Sequence, residues 1–175
     1  ALIVRGGGLH FDHPLLRGGG QEQGRRSGTE NVAGIFAFGA ACQTAFKQLP
    51  TETQRLTALR NRLMNQMRQI DPHLVQFGEQ AERLPNTVYV APSFMDAQTA
   101  LMRFDLAGIA LSSGSACSSG KVKDSHVLVA MGVEPALRKR ALRISLGWST
   151  TEDDISRFCE IYEKEYQAKS GVRAA

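Results

Sequence analysis

From Thr29 to Phe46 the apolar positions Ile35, Phe38, Cys42 and Phe46 recur near helical spacing, with small alanines between them. They predict a helix that Pro50 stops. A second helix is predicted from Thr51, because Thr51-Glu52-Thr53-Gln54 has the form of a capping box. Its buried stripe is Leu56, Leu59, Leu63, Met67 and Ile70, and Asp71-Pro72 ends it. Leu74 to Phe77 and Thr87 to Val90 read as strands, and Ala97 to Leu106 as a short helix closed near Gly108. Ile109-Ala110-Leu111 is a brief apolar strand that opens into a run of serine and glycine. Ser125 to Met131 gives one or two helical turns ended by Gly132, and Leu142 to Leu146 alternates as a strand should. The last helix runs from Thr151 to about Ala168 behind the acidic first turn Glu152-Asp153-Asp154, burying Ile155, Phe158, Cys159 and Tyr162. The pattern is that of an α/β chain, with helices covering a small, partly antiparallel sheet.

Two stretches at the start do not fit this alternation. Ala1 to Arg5 reads as a fully buried strand with no turn before it, which leads to the expectation that the chain begins inside a larger domain. Residues 6–28 hold Gly6-Gly7-Gly8, Gly18-Gly19-Gly20, Gly24 and Gly28, a density that disfavours both helix and strand interiors. A structureless segment of that length usually works at a site or an interface.

Composition narrows the classes. Lys plus Arg is 21 against 17 for Asp plus Glu, a formal charge of +4 dispersed without a basic block, so nucleic acid is not an expected partner. No apolar run approaches the roughly 18 residues of a membrane span, and the first residues lack a signal-type leader. Cys42, Cys117 and Cys159 are too few and too scattered for a disulfide framework, which favours a reducing, cytoplasmic setting.

Cys117 is the sharpest chemical feature. It sits in Ser112-Ser113-Gly114-Ser115-Ala116-Cys117-Ser118-Ser119-Gly120, where small residues and hydroxyls supply mobility rather than core packing, and Lys121 and Lys123 would favour the thiolate. Cys42 and Cys159 lie on apolar helical stripes and are expected to pack. Metal binding is not expected: His10-Phe11-Asp12-His13 lacks partners at ligand spacing, and there is no Cys-x-x-Cys pair. A nucleotide P-loop also fails, since Lys121 is followed by Val122 rather than Ser or Thr. Gly18 to Thr29, with Arg25, Arg26 and a Ser/Thr pair ahead of a helix, suits a phosphate as well as it suits a solvated loop. Strand alternation sets Arg143 on the face opposite Ile144 and Leu146. That favours an exposed sheet arginine over one that captures a carboxylate.

Three segments carry a resemblance that reverses the last reading. Gly18-Gly19-Gly20-Gln21-Glu22 continuing to Arg26-Ser27-Gly28-Thr29-Glu30-Asn31, the segment Ser112 to Ser118, and Leu142-Arg143-Ile144-Ser145-Leu146-Gly147 together resemble the cysteine desulfurases of the NifS/IscS type. These are class V aminotransferase-like, fold type I enzymes that use pyridoxal 5′-phosphate. The resemblance runs in order from residue 1 to about 168. It implies that Cys117 takes sulfur from L-cysteine as a persulfide, leaving L-alanine, and that Arg143 holds the substrate carboxylate. Thr29 would reach the cofactor phosphate of the neighbouring subunit in a homodimer. A sulfur acceptor or iron–sulfur scaffold is the implied partner, with Cys117 as a possible shared cluster ligand. The Schiff-base lysine belongs upstream of Ala1, so residues 1–50 are expected to be a remnant of the large cofactor-binding domain. Residues 51–175 would be the small domain, and the chain alone is expected to be inactive. The rival readings are a selenocysteine lyase or aminotransferase relative, a non-catalytic dimerisation or binding module, and a Cys–His hydrolase with His126 as base.

Overall fold

The computed structural model describes residues 13–113 and 125–171. The strand expected at Ala1 to Arg5, His10, and the segment holding Cys117, Lys121 and Lys123 lie outside them. The chain divides into two compact units, Ala1–Gln48 and Leu49–Ala175.

Helix α1 spans Val32–Ile70 and runs through that division. Its start is fixed by Asn31, whose Oδ1 accepts from the Gly34 amide at 3.1 Å. A Cβ on Gly34 would meet Asn31 Nδ2 at 2.5 Å, so only glycine admits this cap without a shift. The sequence predicted two helices parted at Pro50; the structure has one, with Pro50 inside it. Proline removes one amide and crowds the carbonyl four residues back, a cost of roughly 3 kcal/mol in a helix interior. Here Phe46 and Pro50 are both exposed, so the freed carbonyl lies where water can satisfy it. The Thr51 capping box is therefore not used as a start.

The second unit is built on a four-stranded sheet of order β1-β2-β4-β3, with β1 Val75–Gln76, β2 Thr87–Ala91, β3 Ser112–Ser113 and β4 Leu142–Ser145. Every pairing among the described residues is antiparallel. Register sets Val88 opposite Ile144 and Val90 opposite Leu142, and these four side chains share one buried face. That face meets the second half of α1, helix α2 (Ala97–Leu106) and helix α5 (Glu152–Ser170). Leu56, Leu59, Leu63, Met67, Ile155, Phe158, Cys159 and Tyr162, the stripes read from the sequence, all lie in this core. The other face is partly covered by two short helices, α3 (His126–Ala130) and α4 (Pro135–Lys139), around Phe77, Ala91, Leu128 and Ala141.

Polar groups fix the ends of these elements. Asp96 caps α2 by accepting from the Thr99 amide at 2.8 Å, and that bond holds its carboxyl below the usual aspartate range. Gly108, at φ +77°, closes α2 with Gly108 N to Asp105 O and Ile109 N to Phe104 O. Thr151 and Asp154 form a reciprocal capping box at the head of α5. Asp71, fully buried, accepts from His73 N, from both the amide and hydroxyl of Ser93, and from the Tyr162 hydroxyl at 3.1 Å. Burial and the adjoining Asp71 charge push the Tyr162 phenol far above its ordinary pKa, so it stays a donor.

Candidate functional site

Strand β4 presents Leu142 and Ile144 to the core and Arg143 and Ser145 to the opposite, exposed side, as its alternation requires. Arg143 is the register partner of Tyr89 on one side and of Ser112 on the other. Directly opposed residues of an antiparallel pair project to the same face, so Tyr89, Arg143 and Ser112 form a row across three strands. Among the described residues Arg143 has no carboxylate partner, which leaves its guanidinium open to a ligand carboxylate.

The turn after β4 is held to α1 by Arg55. Its guanidinium donates to the carbonyls of Gly147, Trp148 and Thr150 at 3.1, 3.1 and 2.6 Å, and also pairs with Glu52. Glu52 is held below the usual carboxylate range by that bond. Arg140, just before β4, donates to Ser93 O at 2.9 Å. Both ends of the short strand that carries Arg143 are thus pinned by arginine–carbonyl bonds.

Ser112–Ser113 is the other useful neighbour. The sequence predicted a strand at Ile109 to Leu111; the structure forms it one step later, where Ser112 and Ser113 pair with Arg143 and Leu142. Cys117 follows Ser113 by four residues and lies outside the described residues. A chain of that length spans at most roughly 14 Å when extended.

In the first unit, the loop ahead of α1 is internally braced. Arg26 donates to the carbonyls of Gly28 and Thr29 at 3.2 and 2.6 Å, and Ser27 Oγ to Gly19 O at 2.9 Å. Glu22 and Gln23 take left-handed backbone angles, φ 52° and 57°, a conformation that costs non-glycine residues roughly 1–2 kcal/mol each. Thr29 is exposed and, among the described residues, its hydroxyl makes no hydrogen bond and Arg17 and Arg25 are in no ion pair. One hydroxyl and two uncommitted guanidiniums beside glycine backbone fit the phosphate end of a cofactor. The loop contains no lysine, so only that end is matched.

The two remaining cysteines part company. Cys159 is buried in the core, where burial pushes its thiol up to about 11, as a packing residue should be. Cys42, also expected to pack, is exposed. The helical period placed it correctly beside Phe38 and Phe46, but that stripe is itself exposed. His126 is the exposed first residue of α3 and has no hydrogen-bond partner among the described residues. Among those residues no group of three His, Cys, Asp or Glu could hold a metal ion, and no helix is long and apolar enough to cross a membrane.

The family model for class-V aminotransferases matches residues 3–158. The chain belongs to the class-V aminotransferase family. Among its relatives in that family, the cysteine desulfurase NifS of Azotobacter vinelandii is 41% identical over 82% of this chain and 36% of that protein. The cysteine desulfurase IscS of Dictyoglomus turgidum is 36% identical over 87% of this chain and 39% of that protein. The crystal structure of a NifS-like protein from Rickettsia africae superposes with a TM-score of 0.74 at 35% identity, covering 89% of this chain and 40% of that one. This class-V aminotransferase chain therefore spans well under half the length of the curated relatives it matches. Their shared fold is the α/β arrangement of antiparallel sheet and flanking helices described above. Tyr89, the residue opposite Arg143, was not singled out by the sequence pattern, because which strand neighbours β4 depends on non-local pairing.

Proposed function

We propose that this chain is the C-terminal portion of a cysteine desulfurase, with Cys117 as sulfur acceptor, Arg143 as binder of the substrate carboxylate and Thr29 as a cofactor-phosphate contact. The observation that carries the reading is the pairing of Ser112 with Arg143. It ties the start of the cysteine segment, through one strand register, to an arginine that lacks an acidic partner among the described residues. The similarity to proteins named cysteine desulfurases supplies the reaction.

Pyridoxal 5′-phosphate, when bound, supplies the electron sink that labilises the Cα proton and the C–S bond of L-cysteine. Arg143 orients that substrate by a bidentate bond to its carboxylate. The Cys117 thiolate attacks the substrate sulfur; an S–S bond forms as the C–S bond breaks, and protonation of the released carbon gives alanine. Residues 1–50 are then the part contributed to the large domain and 51–175 the small domain, with the Schiff-base lysine upstream of Ala1. A homodimer, a cytoplasmic setting and a sulfur-accepting or iron–sulfur scaffold partner complete this reading.

Mass spectrometry of the complete enzyme after L-cysteine treatment tests it directly. A +32 Da adduct (one sulfur) on Cys117, lost in Cys117→Ala, is the expected result. Arg143→Ala should raise KM for cysteine by about 100-fold, the scale of a lost charged bidentate bond. Alanine formation that survives Cys117→Ala would overturn the assignment.

A further inference from the structure

A cavity of about 270 Å³ opens in the second unit, away from the main core, with Phe77, Leu84, Thr87, Tyr89, Met131 and Arg83 in its wall. Its surface is overwhelmingly apolar: the Phe77 and Tyr89 rings meet at 5.1 Å, tilted 60°, and Leu84 and Met131 are 70% and 51% exposed at its rim. Two features break that apolar character. The Tyr89 hydroxyl is buried and has no hydrogen-bond partner among the described residues. Arg83 is half-buried and, among the described residues, makes neither an ion pair nor a hydrogen bond. Among the same residues Arg60 is also without a carboxylate; it donates to Leu84 O at 2.9 Å and to Asn61, and it feels the charge of Arg83.

A native fold rarely leaves a buried hydroxyl unpaired or a half-buried guanidinium without a counter-charge. Each deficit is met by a different part of one molecule: an apolar body for the aromatic wall, a hydrogen-bonding group for Tyr89, and an anionic group for Arg83. The size agrees. An apolar cavity of about 150 Å³ holds benzene, so this one has room for a ring with a short polar arm at each end. We propose that the cavity is a binding site for a small aryl carboxylate that bears a second hydrogen-bonding group distal to its carboxylate. Arg143 does not line it, although Tyr89 stands opposite Arg143 across the β2–β4 pair.

The test uses the full chain and 4-hydroxyphenylacetate as probe, followed by the Met131 methyl resonance and by calorimetry. Saturable binding with a Met131 shift is expected. Phenylacetate, lacking the hydroxyl, should bind about tenfold more weakly, the scale of one hydrogen bond. p-Cresol, lacking the carboxylate, should lose at least as much. Tyr89→Phe should erase the difference between 4-hydroxyphenylacetate and phenylacetate, and Arg83→Gln the advantage over p-cresol. The ligand series on the unaltered chain gives the same information if either variant folds poorly. No saturable Met131 shift, or equal affinity for all three probes, would overturn the site.

Discussion

The two halves of α1 carry the same kind of apolar stripe and meet opposite fates. In the second half, Leu63 and Met67 are fully buried against the sheet and α5. In the first, Phe36 and Phe46 are 79% and 80% exposed, and Ile35, Phe38 and Val32 are exposed with them. Nothing in the spacing separates the halves; what differs, among the described residues, is whether a sheet receives the stripe. Helical period thus reports that a face is made for burial, and the burial itself needs a partner surface. A bare stripe of this kind is what a piece of the large domain would show, which is how we read residues 1–50.

The sharpest way to break that contrast is to truncate a buried side chain in one half and exposed ones in the other. Leu63→Ala should cost about 3–4 kcal/mol, the transfer and cavity terms of a fully buried leucine, as measured by urea denaturation. If it costs no more than an exposed substitution, the core assignment fails. Asp71→Asn should cost about 2–3 kcal/mol by the same measurement, because a donor amide replaces an oxygen that accepts from buried partners. Thr151→Ala, which removes the reciprocal cap of α5, should cost about 1 kcal/mol. That cap also has a pH signature. The Thr151 bonds hold Asp154 below its ordinary value of 3.8, so its contribution is complete above that value. It fades as pH falls through the lowered pKa, and acid titration of Thr151→Ala should show a shallower loss than the parent chain. At the small end, Phe36→Ser with Phe46→Ser should move stability by no more than about 0.5 kcal/mol while reducing self-association in sedimentation. Iodoacetamide gives an independent check: Cys42 should label at neutral pH in the native chain, and Cys159 only on unfolding.

Much of the second unit was legible in the sequence. The α2 helix is found at Ala97–Leu106 as its pattern and Gly108 predict, and the α5 stripe follows from its strict period. Three features were not. The α1 helix continues through Pro50 because the local breaker sits where water can compensate it, a circumstance that no propensity encodes. The α4 helix is five residues behind Pro135, too short for a period to appear. Strand β3 was placed on the apolar Ile109 to Leu111, yet pairing selects Ser112 and Ser113, whose partners on β4 lie about thirty residues away in sequence. The candidate site divides along the same line. Residue types and motif resemblance single out Cys117, Arg143 and Thr29, and alternation correctly sets Arg143 on the outer face. That Arg143 stands between Tyr89 and Ser112 is a property of strand order, and strand order is a three-dimensional fact.

Asp71 also bears on the order of assembly. Three segments converge on its two oxygens: the turn after α1 through His73, the turn after β2 that contains Ser93, and α5 through Tyr162. During synthesis the first two emerge long before the third, so a nascent chain must hold that carboxylate half-served, or leave it wet, until α5 docks. Completion of the second unit then waits on its final helix, and a chain released short of Tyr162 would carry a charge its interior is not built to keep.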